Sequence, residues 1–112
     1  MNPPLEALYC STETNGDATY SLPTLSVVIP AFNEAQNIPL LYQHLAEVMP
    51  NMVDERWELI IVDDGSRDAT WKAIRKLAQS DSRIKGVRLS RNFGHQYALM
   101  AGLEVAQGEA VI

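Results

Sequence analysis

Three short polar segments hold most of the residues whose types and spacing can do chemistry. Pro30-Ala31-Phe32-Asn33-Glu34 sets an aromatic ring, an amide and a carboxylate close together, enough to seat a base or a ribose. Asp63-Asp64-Gly65-Ser66 places adjacent carboxylates beside a glycine that lets the chain turn sharply. One carboxylate can accept hydrogen bonds from a ligand while the other fastens the loop, and the pair also suits a divalent cation. Ser90-Arg91-Asn92-Phe93-Gly94, with Arg88 before it and His95 after it, offers guanidinium and backbone N–H groups to phosphates at a helix start. Each segment has a plainer reading. Asn33 and Glu34 can serve a helix N-terminus, and Asp63 and Asp64 an Asx turn and a cap; Arg88, Arg91 and His95 can be solvated or structural.

The elements that must position these segments are legible from periodicity. Leu25 to Ile29 is an apolar, β-branched run bounded by Pro23 and Pro30, which predicts a buried strand that ends at the second proline. Asn37 as N-cap and Pro39 in the first turn predict a helix to about Val48, stopped by Pro50-Asn51, with Ile38, Leu41, Leu45 and Val48 as its apolar stripe. Trp57 to Val62 predicts a second strand. A helix over about 69–79 follows, with Trp71, Ile74, Leu77 and Ala78 on one side and Asp68 near its positive end.

Ile84 to Leu89 predicts a third strand, and residues 95–106 a third helix supported by its alanines and by Leu99 and Leu103, with Gly108 as its C-terminal cap. Glu109 to Ile112 begins a fourth strand. Strands alternating with helices imply an α/β, Rossmann-like, mostly parallel sheet with right-handed crossovers and helices on both faces. In such sheets ligands bind beyond the carboxyl ends of the strands, where all three polar segments fall. Trp57 and Trp71 sit on the apolar period of their elements and are assigned to core packing.

Residues 1–23 lack an apolar period and read as a flexible extension, with Leu5, Leu8 and Tyr9 able to make a short helical contact. With 112 residues the chain fits one domain, and 46% hydrophobic against 21% charged residues excludes wholesale disorder. A net charge of −5 has the wrong sign for a nucleic-acid binder. Cys10 stands alone, so no internal disulfide forms and a reducing, cytoplasmic compartment is expected. Apolar runs fall far short of the ~18–20 residues that cross a bilayer. There is no G-x-G-x-x-G after the first strand and no G-x-x-x-x-G-K-[ST], which argues against a dinucleotide dehydrogenase or a P-loop enzyme.

Taken together, Leu25-Ser26-Val27-Val28-Ile29-Pro30-Ala31-Phe32-Asn33-Glu34, Ile60-Ile61-Val62-Asp63-Asp64-Gly65-Ser66 and Leu89-Ser90-Arg91-Asn92-Phe93-Gly94-His95-Gln96 closely resemble the opening of glycosyltransferase family 2 enzymes. The third motif looks most like the polyprenyl-phosphate hexosyltransferase branch, which includes dolichol-phosphate mannose synthase. The resemblance spans residues 24–112 and implies a GT-A type fold. It implies a UDP- or GDP-hexose donor and a lipid-phosphate acceptor at the cytoplasmic face of the membrane, with inversion at the anomeric carbon.

By position, Pro30, Phe32 and Glu34 match the loop around the donor nucleoside, and Val62 and Asp64 its base contacts. Asp63 would brace the loop, and Arg91 would shape the donor site as a secondary contact. Phe32 replaces the commoner tyrosine, keeping the stacking face without the hydroxyl. The family's Mg2+ or Mn2+ is held by an Asp-x-Asp after the fourth strand, a motif that residues 1–112 do not contain. The expectation is therefore the donor-nucleotide half of such an enzyme, broken off in its fourth strand, missing its C-terminal half and inactive alone. The competing class is a non-catalytic nucleotide-binding or receiver-like regulatory module. An inert fragment is the third reading.

Overall fold

The computed structural model describes residues 8–10, 23, 25–52, 56–108 and 110–111. The strands are β1 (Leu8–Cys10), β2 (Leu25–Ala31), β3 (Trp57–Asp63), β4 (Ile84–Arg88) and β5 (Ala110–Val111), and the helices α1 (Ile38–Met52), α2 (Thr70–Ser80) and α3 (His95–Val105). They form one sheet in the order β1-β4-β3-β2-β5. β2, β3, β4 and β5 are parallel, and β1 lies antiparallel on β4 with Leu8 opposite Arg88. Most of the extension expected over residues 1–23 lies outside the described residues. Leu8 and Tyr9 belong to a strand, not to the short helical contact.

All seven positions of β3 are buried, because β3 is central in the sheet and covered on both faces. On one face Leu25, Ala31, Trp57, Leu59, Ile61 and Ile84 pack under α1 and α2. On the other, Val28, Ile60, Val62, Val87 and Leu89 pack under α3. The alternation of side chains along each strand divides the sheet into these two cores.

Several boundaries differ from those read in the sequence. β2 continues through Pro30 to Ala31, with Pro30 opposite Val62. Ala31 O accepts the Asp64 N–H, so the alternating Pro30 nitrogen faces the other edge, where β5 pairs only with Leu25 and Ser26. The missing donor therefore breaks no ladder bond. α1 passes through Pro50 to Met52, since a proline this close to the end removes a single bond in the last turn. Its inward stripe runs through Ile38, Tyr42, Leu45 and Met49, while Val48 points to solvent.

α3 buries Ala98, Ala101 and Gly102, and Leu103 is exposed. Small residues let this helix lie close to the sheet. A Cβ on Gly102 would stand 2.3 Å from Val28 Cγ1 and 3.1 Å from Val62 Cγ2. Gly102→Ala adds about 1 kcal/mol of helix propensity but overpacks the interface at about 1–3 kcal/mol. A net loss of about 1 kcal/mol is expected, read as a lower urea midpoint with an unchanged m-value. Gly108 is not the cap of α3; the C-cap is Ala106 in an extended conformation.

Candidate functional site

Because β2, β3 and β4 run parallel, the loops that follow them emerge at one rim of the sheet. Hydrogen bonds lace the first loop to the second. Asn33, at φ 53, donates its backbone N–H to Ser66 Oγ at 2.8 Å and accepts the Arg67 N–H on its side-chain oxygen at 3.0 Å. The Glu34 N–H reaches Thr70 Oγ1 at 2.8 Å. Asp68 accepts the Thr70 N–H and hydroxyl, and the Ala35 N–H at 3.4 Å. The hydrogen bond from the Thr70 hydroxyl, more than any other contact, holds the Asp68 carboxyl below its ordinary pKa.

The Asn33 side-chain oxygen therefore serves the Arg67 N–H and does not cap α1. Asn37 stands at the start of α1, its backbone carbonyl accepting the Leu41 N–H at 2.9 Å, and its side-chain amide donates to Glu34 Oε2 at 2.7 Å.

Asp64 ties the second loop to the third. Its Oδ1 accepts the Phe93 N–H at 2.8 Å, and its Oδ2 accepts the Gly94 N–H at 3.1 Å and the Asn92 amide at 3.3 Å. Asn92 also donates to the Asp64 carbonyl at 3.2 Å. Asp63 is fully buried, and its Oδ1 accepts the Ser66 N–H, three residues on, at 2.9 Å. Its Oδ2 has no hydrogen-bond partner among the described residues, and Arg88 Nε lies 4.0 Å away. Gly65, at φ 72, brings the second loop against the backbone of Arg91 and Asn92.

Of the candidate site residues, Phe32, Glu34 and Arg91 are exposed, and Pro30 is half-buried. The Arg91 guanidinium lies 4.5 Å from the centroid of the Phe93 ring. Val62 packs its side chain into the α3 core, so only its main chain is available to a ligand. The rim thus combines a solvent-facing aromatic ring, an exposed carboxylate and an exposed guanidinium on a frame held by buried Asp63, Asp64 and Ser66. The bracing roles of Ser66, Thr70 and Asn92 were not singled out in the sequence, although all three lie in or beside its polar segments. Among the described residues no group of three or more His, Cys, Asp or Glu side chains can hold a metal ion.

The sheet and its crossovers define a Rossmann-like α/β domain. The family model for glycosyl transferase family 2 matches residues 26–112, and the chain belongs to that family. It is 40% identical over 94 residues to undecaprenyl-phosphate 4-deoxy-4-formamido-L-arabinose transferase of Pseudomonas syringae pv. syringae, covering 83% of this chain and 28% of the relative. It is 41% identical over 88 residues to bactoprenol glucosyl transferase of Shigella phage SfV, covering 79% and 28%.

Among solved structures, mannosyltransferase PcManGT of Pyrobaculum calidifontis, in complex with GDP-Man and Mn2+, is similar at a TM-score of 0.70 and 30% identity. That match covers 83% of this chain and 27% of the other, and the GT-A type arrangement implied by the motifs holds. The chain thus spans little more than a quarter of the length of these relatives.

Proposed function

We propose that residues 24–112 are the donor-nucleotide-binding portion of a polyprenyl-phosphate hexosyltransferase. The observation that carries this reading is the laced rim. Three consecutive βα loops are fastened to one another by Asn33, Ser66, Thr70 and Asp64, and leave Phe32, Glu34 and Arg91 facing outward. Phe32 would stack on the base beside Pro30, and Glu34 would accept ribose hydroxyls. The Val62 main chain, Asp63 and Asp64 would border the base, and Arg91 would approach the diphosphate.

In the whole enzyme an acceptor phosphate oxygen would bond to the anomeric carbon as the bond to the nucleoside diphosphate breaks, inverting that carbon. Charge building on the leaving diphosphate needs positive groups nearby, and Arg91 is one such group at this rim. No step is assigned to a metal, because the described residues form no site for one. The names of the relatives support a lipid-phosphate acceptor, and therefore action at the membrane surface. Among the described residues no helix is long and apolar enough to cross a membrane.

The receiver-like reading is not favoured. Both Asp64 oxygens are committed to N–H groups, and β4 ends in Arg88. Calorimetric titration of UDP, GDP and UMP into the 112-residue chain tests the proposal. Saturable binding is expected for one base, and Phe32→Ala should weaken it about tenfold or more, as losing a base–aromatic stack of ~1–3 kcal/mol implies. A cooperatively folded chain that takes up none of the three overturns the reading.

A further inference from the structure

A second buried polar cluster lies on the α3 face, away from the three loops. Ser26, Glu58 and Lys85 stand on adjacent strands near their N-terminal ends, with Ser26 opposite Glu58 and Lys85 opposite Ile60. Glu58 and Lys85 are each 2% exposed. Lys85 Nζ lies 2.7 Å from Glu58 Oε1, and Glu58 Oε2 accepts the Ser26 hydroxyl. The same Oε2 accepts the backbone N–H of Gln107 at 2.6 Å. Ser26 Oγ in turn accepts the Gly108 N–H at 2.8 Å, and Lys85 Nζ donates to Gln107 Oε1 at 3.3 Å.

Three of these contacts converge on Gln107-Gly108, the connection from α3 to β5. Gly108 is required there, because a Cβ would stand 2.5 Å from Ser26 Oγ. Two buried charges are a poor way to stabilise a fold, since an apolar pair of similar volume does as well or better without the desolvation penalty. What the charges provide is direction. A carboxylate held in place by Lys85 offers a fixed acceptor to the Gln107 N–H and orients the Ser26 hydroxyl that accepts the Gly108 N–H, which apolar side chains cannot do. β5 starts immediately afterwards, with Ala110 opposite Leu25 and Val111 opposite Ser26, and it runs parallel to β2. Its C-terminal end therefore heads for the rim that carries Phe32, Asp64 and Arg91.

We infer that the Glu58–Lys85 pair, acting with Ser26, is a positioning device for β5. It fixes where the chain leaves the sheet-bound α3, and so sets the register in which β5 pairs with β2. The inference rests on this geometry alone and stands or falls apart from the donor-site reading.

Acid should release the device. Burial pushes the Glu58 carboxyl up in pKa, but hydrogen bonds from Lys85, Ser26 and the Gln107 N–H outweigh this and hold it below its ordinary 4.5. A depressed carboxyl stabilises the docked form above the ordinary value, and that contribution is lost as pH falls through the folded one. Lys85 is the charged group facing Glu58 from β4. Ser26, from β2, and Gln107, from the connection, do not titrate in this range.

Amide hydrogen exchange followed by NMR on the 112-residue chain tests the inference. In Glu58→Gln and in Ser26→Ala, protection at Gln107, Gly108 and Val111 is expected to fall at least tenfold. Phe93, Gly94 and the β3 amides should stay within about threefold, and nucleotide titration should be unchanged. In the unsubstituted chain, protection at the same three amides, corrected for intrinsic rates, should drop as pH falls below 4.5, and Glu58→Gln should abolish that step. If Glu58→Gln does not fold, Ser26→Ala and the neutral pair Glu58→Gln/Lys85→Met carry the test. A uniform loss of protection across the sheet, unaltered exchange at Gln107, Gly108 and Val111, or a pH step that survives Glu58→Gln overturns it.

Discussion

Asp64→Ala is expected to lower the unfolding free energy by about 2–4 kcal/mol and to abolish saturable nucleotide binding. The magnitude follows from the bonds lost. Asp64 is 4% exposed and accepts two backbone N–H groups, at 2.8 Å from Phe93 and 3.1 Å from Gly94. Leaving a buried donor unsatisfied costs about 1–3 kcal/mol, so two cost about 2–6 kcal/mol, and water admitted at the partly buried loop keeps the sum in the lower part of that range. Asn92 loses a side-chain partner too and keeps only its bond to the backbone carbonyl of residue 64, so the segment that carries Arg91 is held less firmly.

Asp64→Asn keeps one acceptor oxygen but turns an N–H₂ toward a donor, so an intermediate loss is expected. Urea unfolding of the three proteins measures the first effect, and calorimetry the second. Asp64→Ala with unchanged amide shifts at Phe93 and Gly94 would show that the carboxylate does not hold the loop.

How much was legible follows from what each residue type can signal locally. The helices and the three longer strands could be read because apolar period and turn residues are properties of a short window. The rim followed from the topology, since parallel strands send their following loops to one side. What could not be read depends on partners far apart in sequence. Val48 and Met49 are equally apolar, and only the approach of α1 to the sheet decides that Met49 is buried. Leu103 looks like a core residue, but the positions α3 buries fully against the sheet are Ala98, Ala101 and Gly102.

Glu58 and Lys85 sat in the sequence as polar residues within apolar strands. That was a signal, because a charge at a buried strand position requires a partner. Their pairing, and the use of Gln107 and Gly108, needed the fold. Likewise, adjacent Asp63 and Asp64 look equivalent until alternation along β3 sends them to opposite faces. Asp64 then meets the third loop, and Asp63 is left with one oxygen facing Arg88.

Gly65→Ala should be the more damaging of two glycine substitutions at this rim, and the comparison separates backbone strain from crowding. Gly65 has φ +72 and Gly94 φ +108, so both hold conformations that an L side chain resists. Strain of that kind costs about 1–3 kcal/mol at either position. At Gly94 a Cβ meets nothing within 4 Å, and strain is the whole expected effect. At Gly65 the Cβ would stand 2.2 Å from Arg91 C, 2.3 Å from Asn92 N and 2.7 Å from Arg91 Cα.

These are backbone atoms that cannot rotate aside, so the third loop has to move and its bonds to Asp64 must stretch or break. A total loss of about 3–5 kcal/mol is expected for Gly65→Ala, a large share of the ~5–15 kcal/mol that holds a domain of this size together. Arg91 would then leave its place at the rim, so nucleotide affinity should fall in Gly65→Ala and persist in Gly94→Ala. Urea midpoints and titrations of the two variants side by side decide the matter. Equal losses would mean that the second and third loops do not touch at Gly65, and the laced rim would lose one of its supports.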